Sequence, residues 1–319
     1  MPPQHVLGSV GPQALAIERL WWLTLIICTV VFIAVLAAVA WALFRAPRGD
    51  LTTPPDLSSM TRPERGAAVG IVAAITLCAL LLVVLTIASF STDRALASLG
   101  APSLEIEVTG HQFWWEVRYS DTDPSRSFTT ANEIHIPVGR PVLIKLKAED
   151  VIHSLWVPNL AGKKDLIPGR DATLTLRADK PGTYRGQCAE YCGAQHAKMA
   201  FLLIADPPEQ YEAWAAAERK PAREPGDAEQ RRGRALFVNG RCGMCHAVQG
   251  TSAAARYGPD LTHFASRQTL AAGMLPNTVG HLAGWILDPQ SIKPGANMPA
   301  NPMQPAELHA LLAYLGTLK

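Results

Sequence analysis

The sequence predicts a multidomain membrane protein: a two-helix transmembrane hairpin, then an antiparallel β-sandwich or barrel, then an all-α module. Three observations predict it. Two long early stretches lack any charge, a middle part alternates apolar and polar residues, and two amphipathic helical patterns enclose a Gly-, Pro- and Ala-rich region at the end. The expected boundaries are 1–100 for tail and hairpin, 101–206 for the sandwich, 207–226 for a helix and linker, and 227–319 for the helical module. A chain of 319 residues has room for two or three domains.

The hairpin comes first. Residues 20–44 and 66–92 carry no charge. At roughly 1.5 Å per residue, either stretch crosses a hydrocarbon core of about 30 Å with tilt to spare. Trp21, Trp22 and Trp41 fall near the ends of the first, where amphipathic rings prefer the interface. Arg45, Arg48, Arg62 and Arg65 lie in or beside the connection, against Arg19 alone before it. The positive-inside bias then places the connection in the cytoplasm and both termini outside. A cleaved signal peptide would need a shorter apolar run and a basic start. Mean hydropathy of +0.09 agrees with membrane segments, and a net charge of +2 with 18% charged residues leaves no footprint of nucleic-acid binding. Cys28 and Cys78, inside the apolar runs, read as lipid-facing or packing residues.

The sandwich follows from short alternating runs such as Leu104-Glu-Ile-Glu-Val108, Val142-Leu-Ile-Lys-Leu-Lys147, Thr173-Leu-Thr-Leu-Arg177 and Phe201-Leu-Leu-Ile204. Pro137-Val-Gly139, Pro168-Gly169 and Pro181-Gly182 punctuate them as turns. The helical module rests on residues 227–239 and 305–318.

Two motifs carry chemistry. Cys188-Ala-Glu-Tyr-Cys192 is followed by His196 and Met199. Thiolate, imidazole and thioether together suit copper and suit magnesium or calcium poorly. A disulfide or structural zinc leaves the methionine unexplained. Cys242-Gly-Met-Cys245-His246 is the attachment signature of c-type haem: the thiols add to vinyl groups and the histidine is the proximal ligand. A low-spin haem needs a sixth ligand, and Met298 in Lys293-Pro-Gly-Ala-Asn-Met298-Pro is the first choice, with Met303 and Met274 as rivals. His263, His281 and His309 read as ordinary surface or core histidines.

These motifs resemble known families. The copper loop resembles that of cytochrome c oxidase subunit II, as do Asp150-Val-Ile-His153-Ser, Ile167-Pro-Gly169-Arg170 and Thr109-Gly-His-Gln-Phe-Trp-Trp115. The Met-Pro loop and Tyr257-Gly-Pro259 resemble class I cytochromes c. Together the modules look like subunit II of a caa3-type oxidase with a fused cytochrome c. The resemblance implies a cupredoxin-type sandwich holding dinuclear copper (CuA) through His153, Cys188, the Glu190 carbonyl, Cys192, His196 and Met199. It implies magnesium at the Glu190 carboxylate, shared with subunit I, and haem c on Cys242 and Cys245 with His246 and Met298 as axial ligands. Pro259 O would accept from the outer nitrogen of His246. By the same resemblance no residue is catalytic, and electrons are expected to pass from cytochrome c through haem c and CuA to subunit I, where oxygen would be reduced to water and protons pumped. The implied partners are subunits I and III, a soluble or membrane cytochrome c, and the lipid bilayer. The implied location is the bacterial inner membrane, with the copper and haem domains outside.

Two departures from the family matter. Phe113 stands where many oxidases place a tryptophan credited with receiving electrons; Phe113, Trp114 and Trp115 are the candidates for receiving and passing electrons here, and the phenylalanine favours the tethered haem as donor. No acid lies within 66–92, where many members carry a proton-path carboxylate, and Glu64 is the candidate substitute. Among rivals, nitrous oxide reductase needs a histidine-rich propeller that nine histidines beside a hairpin do not supply. A quinol oxidase subunit lacks the copper ligands, a copper-assembly module lacks the haem motif, and the closer rival is a nitric oxide reductase whose small subunit holds CuA.

Overall fold

The computed structural model describes residues 2, 4–46, 52, 54, 65–97 and 99–319. The chain divides into two compact units, Ala16–Ser98 and the remainder. Arg48, Arg62 and Glu64 lie outside the described residues, so the charge bias of the connection and the proton-path substitute stay with the sequence.

The first unit to consider is helical. Helices α1 (Pro12–Arg45) and α2 (Arg65–Ala97) run past both ends of the charge-free stretches, because a helix continues into polar residues until something stops it. Both are long and apolar enough to cross a membrane. Their Leu, Ile, Val and Phe side chains are exposed around the whole circumference. Such a surface requires lipid or other apolar partners. The hydroxyls of Thr24, Thr86, Ser91 and Thr92 donate to the carbonyl four residues back, which satisfies them without water. Arg45 lies over Trp41 at 5.5 Å and Arg94 over Phe90 at 4.7 Å, so each helix ends on a cation held against an aromatic face.

In the second unit, ten strands form two five-stranded sheets. They are β1 (Leu104–His111), β2 (Trp114–Tyr119), β3 (Phe128–Ala131), β4 (Glu133–Pro137), β5 (Val142–Ala148), β6 (His153–Trp156), β7 (Lys164–Leu166), β8 (Ala172–Leu176), β9 (Gly182–Cys188) and β10 (Ala200–Asp206). The sheet orders are β3-β2-β1-β5-β8 and β4-β10-β9-β6-β7. Most ladders are antiparallel, as the alternation leads one to expect, but β1 with β5 and β4 with β10 pair in parallel. Strands that return from the opposite sheet produce these two pairs, and period-two alternation cannot distinguish the directions. Inward residues such as Ile106, Trp115, Ile134, Ile144, Leu155 and Phe201 are fully buried between the sheets. The segment before Leu15 lies along the sandwich, with Val10 and Ala14 bonded to Asn159 and Leu160.

Helix α3 (Pro208–Glu218) covers one end and inserts Trp214 among Tyr119, Phe128 and His135. The expected linker is tied down: His263 Nε2 donates to Lys220 O and Ala222 N to Gln249 O, both at 2.9 Å. Beyond it, α4 (Ala228–Asn239), α5 (Val279–Leu287), α6 (Pro289–Ile292) and α7 (Pro305–Leu315) surround a core of Phe237, Leu282, Ile286, Leu311 and Tyr314. One small hairpin, β11 (Thr269–Leu270) with β12 (Leu275–Pro276), interrupts this otherwise helical module.

Candidate metal and haem sites

Strands β9 and β10 are hydrogen-bonded neighbours, and the eleven-residue connection between them must fold back on itself. Cys188 N donates to Met199 O (2.9 Å), closing that loop at its base. A single 3-10 turn at His196–Lys198 then directs His196 and Met199 to one side. His153 opens β6, whose Leu155 pairs with Cys188 of β9, so ladder register brings a residue 35 positions away beside the loop.

The donors converge. Cys188 Sγ and Cys192 Sγ are 3.8 Å apart, far beyond the roughly 2.05 Å of a disulfide. His153 Nδ1 lies 3.9 Å from Cys188 Sγ and His196 Nδ1 3.8 Å from Cys192 Sγ. Met199 Sδ is 3.8 Å from Cys192 Sγ, and Glu190 O is 3.1 Å from Cys188 Sγ. Two thiols therefore sit side by side, each with its own imidazole, and a thioether and a carbonyl complete the set. Soft donors so arranged fit copper. The two thiols titrate as a pair: their mutual hydrogen bond pulls Cys188 below the usual thiol range and pushes Cys192 above it. A metal cation bound here would displace the thiol protons.

Second contacts orient the ligands. Asp150 Oδ1 accepts from His153 Nε2 at 2.8 Å, which turns Nδ1 toward the sulfur. Burial opposes ionisation of Asp150, but bonds from His153, Val151 N and Gln112 N outweigh it and hold the carboxyl below its usual range. Burial likewise opposes protonation of His153, and the bonds to Cys188 and Asp150 raise it overall. Gly110 is a steric requirement: a Cβ there would stand 2.7 Å from His153 Cδ2.

The second site is a cavity of about 500 Å³ lined by Cys242, Cys245, His246 and Met298. His246 Nδ1 donates to Pro259 O at 2.7 Å. Burial keeps the imidazole neutral, the form that binds iron, against that bond's opposing pull. Gly258 backs the ring, since a Cβ there would come within 2.7 Å of His246 Cε1. Of the methionines, Met298 lines the cavity and Met303 packs against the module's apolar core. The walls are mostly apolar, and among the described residues that line them buried Arg267 Nε and Thr269 Oγ1 have no hydrogen-bond partner. Buried unsatisfied donors in the lining of a mostly apolar cavity fit a flat macrocycle bearing carboxylates.

The copper module forms part of this cavity: Gln112, Phe113, Trp114 and Asn132 line it alongside the cytochrome residues. Phe113 is buried and its ring packs against Gly193, beside Cys192. Trp114 stacks on His111 with centroids 4.4 Å apart, and Trp115 points into the sandwich against His153 at 5.9 Å. Sequence reasoning missed Asp150, Gly110, Arg267 and Thr269. Only Asp150 left a signal, three residues before His153.

A sandwich with a two-thiol, two-imidazole metal loop, joined to a CxxCH helical module, defines a membrane-associated copper protein fused to a c-type cytochrome. The sequence profile of the cytochrome c oxidase subunit II periplasmic domain matches residues 123–205, and that of cytochrome c matches 230–319. Cytochrome c oxidase subunit 2 of Alkalihalophilus pseudofirmus is 38% identical over 322 residues, covering 98% of this chain and 90% of that protein. The same subunit of Bacillus sp. (strain PS3) is 31% identical, covering 75% and 71%. The periplasmic domain of subunit II of cytochrome oxidase of Bradyrhizobium japonicum aligns with 38% of this chain and 96% of its own, at TM-score 0.36 and 27% identity. The chain belongs to the cytochrome c oxidase subunit II family. It is a subunit of a haem–copper terminal oxidase, an oxidoreductase; its modules imply copper and haem, and other oxidase subunits are its partners.

Proposed function

We propose that this chain is the electron-input subunit of its oxidase, accepting electrons from a cytochrome c and delivering them to subunit I, where oxygen is reduced to water with proton pumping. Cys242 and Cys245 would hold haem c covalently, with His246 and Met298 as axial ligands. His153, Cys188, the Glu190 carbonyl, Cys192, His196 and Met199 would hold a dinuclear copper centre, and the Glu190 carboxylate would face magnesium at the boundary with subunit I. When bound, the haem and the copper centre would supply one-electron carriers.

The chain's own residues supply rigidity and dryness. Asp150 and the β6–β9 ladder fix His153, and the closed loop fixes the two thiols, so the donor positions need change little with redox state. Burial favours neutral His246, and the bond from its Nδ1 to Pro259 O orients the ring. The observation that carries the reading is the shared cavity wall: Gln112 lines the haem-sized cavity and donates through Nε2 to Cys192 O at 2.6 Å. One residue thus joins the two donor sets. In this reading the chain crosses the bacterial inner membrane twice, keeps both soluble modules outside, and also meets subunit III and lipid.

The test is composition and turnover of the purified complex. Two coppers and one covalent haem should travel with this chain, and oxygen should be consumed with reduced cytochrome c. One copper, or zinc in its place, would falsify the dinuclear centre, and consumption of nitric oxide instead of oxygen would move the chain to that reductase.

A further inference from the structure

The loop that carries Met298 is tied to the copper module at four points within six residues. Ile292 O accepts from Lys198 Nζ (2.8 Å) and Pro294 O from Gln195 Nε2 (2.6 Å). Asn297 Nδ2 donates to Gln112 O (3.1 Å), and Lys293 Nζ donates to Phe113 O (2.7 Å). Gln195 and Lys198 flank the copper-ligand candidate His196, and Phe113 packs against Gly193 beside Cys192. The loop that carries Met298 is therefore bonded directly to the loop that supplies five copper-ligand candidates.

Lys293 differs from its neighbours in this joint. Pro294 and Asn297 are exposed, whereas Lys293 is 2% exposed. Among the described residues its amine has no carboxylate partner; it donates to Phe113 O of one module and, at 3.3 Å, to Ala271 O of the other. Burying an amine without a counter-charge is costly, and an apolar residue of similar length would fill the space at less expense. Filling space therefore does not account for a lysine here. Its donors bridge two backbone carbonyls that no intramodule bond brings together, and both carbonyls belong to residues lining the haem cavity.

We propose that Lys293 is a positioning residue that clamps the Met298 loop onto the Gln112–Trp114 segment, holding the haem and copper donor sets at one separation so that electrons cross without the cytochrome module undocking. This rests on the proposed function. The alternative it excludes is a cytochrome module that swings out to collect an electron and returns to deliver it.

The test uses the complete oxidase with wild-type, Lys293→Met and Asn297→Ala chains. Lys293→Met keeps the unbranched stem and removes the donors; Asn297→Ala loosens the same joint at an exposed position where folding is not at risk. Two quantities are read: the rate of haem-to-copper electron transfer after photoreduction of the haem, and amide hydrogen exchange over 112–114 and 293–298. Lys293→Met should slow transfer on the order of tenfold or more, because small misplacements of reacting groups carry penalties of that size. It should also make transfer salt-dependent and speed exchange in both segments. Haem reduction by cytochrome c, the sulfur-to-iron charge-transfer band and the copper absorption should stay as in wild type. Asn297→Ala should change exchange in the same direction, by less. Wild-type exchange and transfer in Lys293→Met overturn the clamp, as does loss of the charge-transfer band or copper absorption, which would make Lys293 part of one site. If Lys293→Met does not assemble, wild-type exchange in Asn297→Ala overturns it. Absence of haem-to-copper transfer in the wild type would instead sink the proposed function, and exchange would still decide the clamp.

Discussion

His153 illustrates how much a single residue depends on its neighbours. Its ring has Asp150 on one nitrogen, Cys188 near the other, and Gly110 against its carbon edge. Asp150→Ala frees the ring to rotate. Copper retention should fall roughly 10–100-fold, the usual effect of losing an outer-shell partner, and competition with a chelator measures it. The two methionines separate in the same way. Met298→Ala should abolish the sulfur-to-iron charge-transfer band and lower the haem potential, because thioether ligation favours the ferrous state. Met303→Ala should leave both intact and lower the unfolding temperature instead, since Met303 packs against the core. Spectra and redox titrations of the two variants discriminate them. If the band disappears with Met303→Ala alone, the axial assignment is wrong.

At the level of elements, the loop from Ile292 to Met298 joins two modules whose cores are separate. Burial of Lys293 pulls its pKa from 10.5 down to about 7, with Cys192 opposing and Lys198 reinforcing the shift. The sign follows from proton counts. Between pH 7 and 10.5 the unfolded chain holds a proton on this amine that the folded chain has released, so stability rises with pH through that window. Below about 7 both states are protonated and the contribution is flat. Thermal unfolding of the wild type should therefore shift upward as pH increases from about 7, and Lys293→Met should lose that part of the slope. An unchanged slope in the variant would mean that the amine stays charged in the fold. Nothing local in Lys293-Pro-Gly foretold this, because a lysine before proline in a glycine-containing loop reads as a solvated charge. The copper-loop spacing, by contrast, was readable because five candidate ligands lie within twelve consecutive residues.

At the scale of the molecule, the cytochrome module sits against the face of the sandwich that carries Phe113 and Trp114. Glu133 adds a further tie, accepting from Gln268 N (2.7 Å) and Thr269 N (3.1 Å). A separate donor protein would find that face covered. His246→Ala, which removes the proximal ligand and with it the haem, should therefore abolish most turnover with cytochrome c while the copper absorption persists. Stopped-flow reduction of the variant decides the matter: copper reduced as fast as in the wild type would mean that electrons reach it directly.

The sequence by itself determined the modules, their order and the candidate donor sets of both sites. Apolar length marks the two helices, and ligand motifs that are local in the chain, Cys188 to Met199 and Cys242 to His246, keep their meaning whatever surrounds them. It also determined Met298 as first choice over Met303, but from loop context alone. Tertiary structure decided the parallel pairing of β1 with β5 and β4 with β10, the seat of His153 beside Cys188, and the closure of the haem cavity by Gln112, Phe113 and Trp114. Those features depend on contacts between residues up to 185 positions apart, such as Asn297 with Gln112. Periodicity and spacing report only what a residue does with its near neighbours. Which carbonyl a buried lysine reaches is settled by the packing of two modules.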